Sequence, residues 1–113
     1  MDLEVSARFH EDHAVVTAAG EIDLYTAPTL QTKLTEVVRD GPANVVIDLS
    51  RVEFCDSTGM NVLLAALKRI RERDGSLALA GPQPPVRRIL EITGLDTVFS
   101  VYGSADEALG RTG

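Results

Sequence analysis

The sequence predicts an α/β fold: one domain with a mixed, mostly parallel β-sheet and about four α-helices packed against it. Three observations carry that prediction. Apolar runs of strand length alternate with stretches whose apolar residues recur every three or four positions. Two strand-like runs come first without a helix between them, which implies an antiparallel hairpin ahead of the parallel units. The chain has 113 residues, the size of a single domain with a single core, so both patterns must share one sheet.

Taken in order, Leu3 to Phe9 alternates apolar and polar residues, the pattern of a half-buried strand, and His10-Glu11-Asp12-His13 is a polar turn. Ala14 to Ala19 returns as the second strand, after which Gly20-Glu21-Ile22-Asp23 leads the chain out of the sheet. Thr26 and Pro28 mark a helix start, and Leu30, Leu34, Val37 and Val38 follow at helical spacing until Asp40-Gly41-Pro42. Val45, Val46 and Ile47 are a short β-branched run, expected as a strand buried on both faces. Met60, Leu63, Leu64, Leu67 and Ile70 then share a helix face. Cys55-Asp56-Ser57-Thr58-Gly59 lies between strand and helix, so Asp56 or Ser57 should supply the oxygen that caps the first turn. Lys68, Arg69, Arg71 and Arg73 complement the dipole at the end of that helix, with Gly75 as its C-terminal cap. Leu77 to Ala80 is a short strand. Val86, Ile89 and Leu90 share a face of a helix that starts within the prolines at 82, 84 and 85 and stops at Gly94. Thr97 to Val101 is expected as the last strand and Ser104 to Leu109 as a closing helix, with Ser104 and Glu107 at capping-box spacing. The tail from Gly110 to Gly113 is expected to fray. The predicted order is therefore β-β-α-β-α-β-α-β-α, one domain over 1–113 with its core at about 3–109.

Seventeen acidic and eleven basic side chains give a net charge of -6, which argues against nucleic acid or an anionic membrane as partner. No apolar run approaches the roughly 20 residues of a membrane span, and Met1-Asp2-Leu3-Glu4 lacks the pattern of a secretory signal, so a cytoplasmic location is expected. The one cysteine excludes an intramolecular disulfide, and Cys55 reads as a small buried apolar residue. A serine nucleophile would need a base, and the two histidines, His10 and His13, both fall in a hairpin turn. That turn also lacks partner ligands for a metal, and no phosphate-cradling glycine motif occurs. Neither enzyme chemistry nor a cofactor is expected.

Four features in order are diagnostic: Gly20-Glu21-Ile22-Asp23, Thr26-Ala27-Pro28, Val46-Ile47-Asp48-Leu49, and Phe54-Cys55-Asp56-Ser57-Thr58-Gly59-Met60. With Ile92-Thr93-Gly94-Leu95 and Val98-Phe99, they make the chain resemble the STAS-domain anti-sigma factor antagonists of bacterial partner-switching systems, from about Leu3 to Leu109. The resemblance implies that Ser57 is phosphorylated by a serine-kinase anti-sigma factor, with Thr58 as second candidate. It implies that the unphosphorylated form binds that kinase and frees a sigma factor, that the phosphorylated form lets go, and that a PP2C-type phosphatase then removes the phosphate from Ser57. Asp23 corresponds to an acidic contact with the kinase. Glu21, Asp56, Ser57, Thr58, Gly59 and Asn61 complete the implied partner-binding set. Met60 stands where leucine is usual, and Asn61 where glycine is frequent. From the residues alone a helix cap is the favoured role for Ser57, which the resemblance reverses, and Asp23 is as readily a turn residue as a contact. The alternative function is a non-phosphorylated STAS subunit that regulates a transporter or a sensory complex.

Overall fold

A computed structural model describes residues 2–112. It holds nine principal elements in the predicted order: β1 (Leu3–His10), β2 (His13–Ile22), α1 (Ala27–Asp40), β3 (Asn44–Cys55), α2 (Ser57–Glu72), β4 (Ser76–Ala80), α3 (Pro84–Thr93), β5 (Ser100–Tyr102) and α4 (Ala105–Thr112), with one turn of 3-10 helix at Leu95–Thr97. The strands lie side by side in chain order. β1 is antiparallel to β2, and every later pair is parallel. Because the strand order never reverses, crossovers of one hand place their helices on one face. Leu30 and Leu34 of α1, Leu63 and Ile70 of α2, and Val86 and Leu90 of α3 accordingly share one core with Val16, Ile47 and Leu79 of the sheet. α4 covers part of the other face, with Ala108 against Val15, Val46 and Ala78. Val45, Val46 and Ile47 are thus buried from both sides, as their composition predicts.

The elements depart from expectation at their ends. β2 does not leave the sheet at Gly20, and β3 does not stop after its apolar run: Gly20, Glu21 and Ile22 pair with Val52, Phe54 and Cys55, past the point where β4 ends opposite Asp48. A register irregularity between Gly20 and Glu21 disturbs the two-residue period that would have announced this extension. Gly20 itself sits at φ +124°, and a Cβ there would stand 2.2 Å from the Asp2 carbonyl oxygen. At the end of α2 the left-handed residue is Asp74, φ 58°, rather than Gly75. Gly75 is needed for a different reason, because a Cβ would lie 2.0 Å from the Ala43 carbonyl oxygen. The last strand begins at Ser100, three residues late, since Leu95 to Thr97 continue helically after the left-handed cap at Gly94. The expected fraying from Gly110 is replaced by the last turn of α4 as far as Thr112, and Gly113 lies outside the described residues.

The arginines in the last turn of α2 and at its C-cap bond to neighbouring segments. Arg69 donates to the Thr35 hydroxyl at 3.2 Å, Arg71 to the Val98 carbonyl at 3.4 Å, and Arg73 to the carbonyls of Val38 and Gly41.

Candidate functional site

The extension of β2 and β3 beyond the rest of the sheet brings two loops together at its tip. Ile22 and Cys55 are paired neighbours, and the Asp56 N–H donates to the Ile22 carbonyl at 3.1 Å. Ile22 leads into the Asp23–Thr26 loop, and Cys55 leads through Asp56 into the first turn of α2.

The first loop is built around one carboxylate. Asp23 Oδ1 accepts from the N–H groups of Tyr25 (2.9 Å) and Thr26 (3.0 Å). The Thr26 hydroxyl accepts from the Asp23 N–H at 2.9 Å and donates to the Glu21 carbonyl at 2.8 Å. The Thr26 N–H is the main reason the Asp23 carboxyl is held below its ordinary range, against partial desolvation and with help from Tyr25. Asp23 is therefore an ionised turn former, half-buried, with Oδ2 outside these bonds. The loop it shapes turns Leu24 and Tyr25 outward, 65% and 87% exposed. Phe54, at the end of β3, is 42% exposed. The sequence reading gives these three no role. The only signal for Leu24 and Tyr25 is a pair of large apolar residues between Asp23 and Thr26, with no strand or helix period to bury them.

The second loop settles which residue caps α2. Asp56 is the extended N-cap residue, and its Oδ1 accepts from the Gly59 N–H at 3.1 Å. Ser57 is the first helical residue, exposed, and no group among the described residues bonds its hydroxyl. Thr58 is half-buried and Asn61 is exposed on the next turn. Gly59 is buried against the sheet, where an added Cβ would stand 2.5 Å from Ile22 Cγ2 and 2.6 Å from Cys55 Sγ. Glycine at this position lets the first turn of α2 rest directly on the strand ends. Met60 fills the core, as a residue of leucine's volume can. Burial pushes the Cys55 thiol up to about 12, with the Asp56 charge adding to the effect, so it is a protonated packing group at neutral pH.

The arrangement offers an exposed, unbonded hydroxyl beside an internally hydrogen-bonded acidic loop and exposed apolar side chains. His10, the last residue of β1, and His13, the first of β2, face each other at the closed end of the hairpin, about 30 Å of strand from this tip. Among the described residues no three His, Cys, Asp or Glu side chains gather as a metal site, and no helix is long and apolar enough to cross a membrane.

The chain belongs to the STAS domain family, whose family model matches residues 4–108. An anti-sigma-B factor antagonist of Staphylococcus epidermidis is 32% identical over 101 residues, 89% of this chain and 94% of that one. An anti-sigma F factor antagonist of Paenibacillus polymyxa is 29% identical over 110 residues, covering 96% and 94%. The crystal structure of an anti-sigma factor antagonist from Mycobacterium paratuberculosis superposes with a TM-score of 0.90, at 36% identity, over 97% of this chain and 93% of that one.

Proposed function

We propose that this protein is a cytoplasmic anti-sigma factor antagonist switched by phosphorylation of Ser57. The unphosphorylated chain binds a serine-kinase anti-sigma factor and thereby frees a sigma factor. The kinase then phosphorylates Ser57, the complex separates, and a PP2C-type phosphatase resets the chain. It acts by binding, not by catalysis.

The observation that carries this reading is the division of labour at the α2 entrance. Asp56 performs the capping, which leaves the Ser57 hydroxyl exposed and unbonded on the first turn. The half-buried Thr58 is the second acceptor. The similar antagonists from Staphylococcus, Paenibacillus and Mycobacterium support the same class of partner. In this reading Asp23, Glu21, Asp56, Ser57, Thr58, Gly59 and Asn61 form the contact region, Asp23 through the shape of its loop and Gly59 by seating the helix. A phosphate on Ser57 adds about -1.5 to -2 charge at a helix N-terminus, which tolerates it. Its effect falls on the complex, where a dianion must be desolvated beside the partner.

The test is intact-mass spectrometry with site mapping after incubation with ATP and a candidate serine-kinase anti-sigma factor from the same organism. One phosphate on Ser57, absent in Ser57→Ala and retained in Thr58→Ala, is the expected result. Absence of phosphate with every such kinase overturns the switch and moves the protein to the non-phosphorylated subunits of transporters or sensory complexes.

A further inference from the structure

We propose that the open edge of β1 pairs with β1 of a second copy of this chain, antiparallel about a twofold axis at Ser6. β1 closes one side of the sheet, and its outer edge meets no other strand among the described residues. The Asp2 carbonyl accepts from the Glu21 N–H at 3.4 Å, which assigns the even-numbered residues of this strand to the bonds with β2. Leu3, Val5, Ala7 and Phe9 therefore turn their N–H and C=O groups toward the open edge, an eight-residue strand ready to accept a partner strand.

The partner is identified by the strand's own symmetry. Reading outward from Ser6 in both directions gives Val5 and Ala7, then Glu4 and Arg8, then Leu3 and Phe9. An antiparallel pair centred on Ser6 sets Glu4 of each copy opposite Arg8 of the other, on the solvent face. Both charges are exposed, and neither has an ion-pair partner within the described chain. On the opposite face it sets Leu3 against Phe9 of the second copy. Phe9 is 64% exposed, beside a groove floored by Ala7, Val37 and Pro42. A charge at a strand edge ordinarily discourages pairing. Here two opposite charges equidistant from one residue discourage every partner except an inverted copy. The seam lies on the far side of β2 from β3 and α2, so Ser57 in each copy stays accessible. This inference stands independently of the proposed switch.

Sedimentation velocity and light scattering across a concentration series on the whole chain provide the test. A reversible dimer is expected. Glu4→Arg or Arg8→Glu alone sets like charges opposite each other twice per dimer and weakens association by roughly tenfold or more. The double exchange Glu4→Arg/Arg8→Glu restores it. Ser6→Cys places two thiols at a directly opposed, non-hydrogen-bonded pair, about 4.5 Å between Cα atoms and within disulfide reach. It should give a disulfide-linked dimer under mild oxidation, which wild type, with only buried Cys55, does not. Every substituted position is exposed, and circular dichroism checks the fold of each variant. A monomer at every concentration, or a double exchange no better than either single one, or no cross-link from Ser6→Cys overturns the pairing.

Discussion

Gly59 and Gly110 show how one substitution takes opposite signs in two helices. Glycine in a helix costs roughly 0.5–1 kcal/mol relative to alanine through backbone entropy, so Gly→Ala in an open helical position is stabilising. Gly110, in α4, meets nothing within 4 Å of an added Cβ, and Gly110→Ala should raise stability by about that amount. At Gly59 the same methyl would press on Ile22 and Cys55, both part of the buried core. Overpacking of that kind costs about 1–3 kcal/mol, which outweighs the entropic gain, so Gly59→Ala should lower stability. Urea denaturation of both variants measures the two signs. Equal stabilisation by both would show that the first turn of α2 can lift from the strands without penalty.

The helix entrance at α2 is the element whose details the sequence made plainest. A run of Asp, Ser, Thr and Gly between a strand and an apolar period admits few solutions, and Asp56 takes the capping role with Ser57 just inside. Asp56→Ala should cost about 1 kcal/mol by leaving the Gly59 N–H without its acceptor, whereas Asp56→Asn, which keeps an oxygen there, should stay within a few tenths. Thermal melts of the two variants separate the cap from the charge. The extension of β2 and β3 was less legible, because Ser50, Arg51 and Glu53 are exposed and polar and the register slips, so neither period survives to mark a strand. Pairing between segments some thirty residues apart sets those ends, a tertiary effect that local pattern does not report. The late start of β5 has the same origin, with Val98 drawn into a helical turn by its bond to Leu95. Leu24 and Tyr25 were missed because exposure of an apolar side chain is a property of the folded loop that Asp23 shapes.

For the molecule as a whole, hydrogen bonds and close packing tie the strand tips together beside Ser57, and that bears on how a charge there would act in the proposed switch. Asp56 is bonded to Ile22, Gly59 is seated on Cys55, and Thr26 ties Asp23 to Glu21, so the two loops at the strand tips form one framework. An added anion on the exposed first turn of α2 meets a favourable dipole worth roughly 0.3–1 kcal/mol, partly offset by the nearby carboxylates of Asp56 and Asp23. Neither term is large enough to unfold the domain. Ser57→Asp should therefore melt with the wild-type profile while binding the kinase anti-sigma factor more weakly. Like-charge contact at an interface costs several kcal/mol, and each 1.4 kcal/mol is about tenfold in affinity, so a loss of roughly a hundredfold is expected. Calorimetry of binding beside thermal denaturation of the same sample distinguishes the mechanisms. A marked fall in melting temperature would place the effect in the fold instead of the interface, because a negative charge could then weaken binding by loosening α2 from the strand tips.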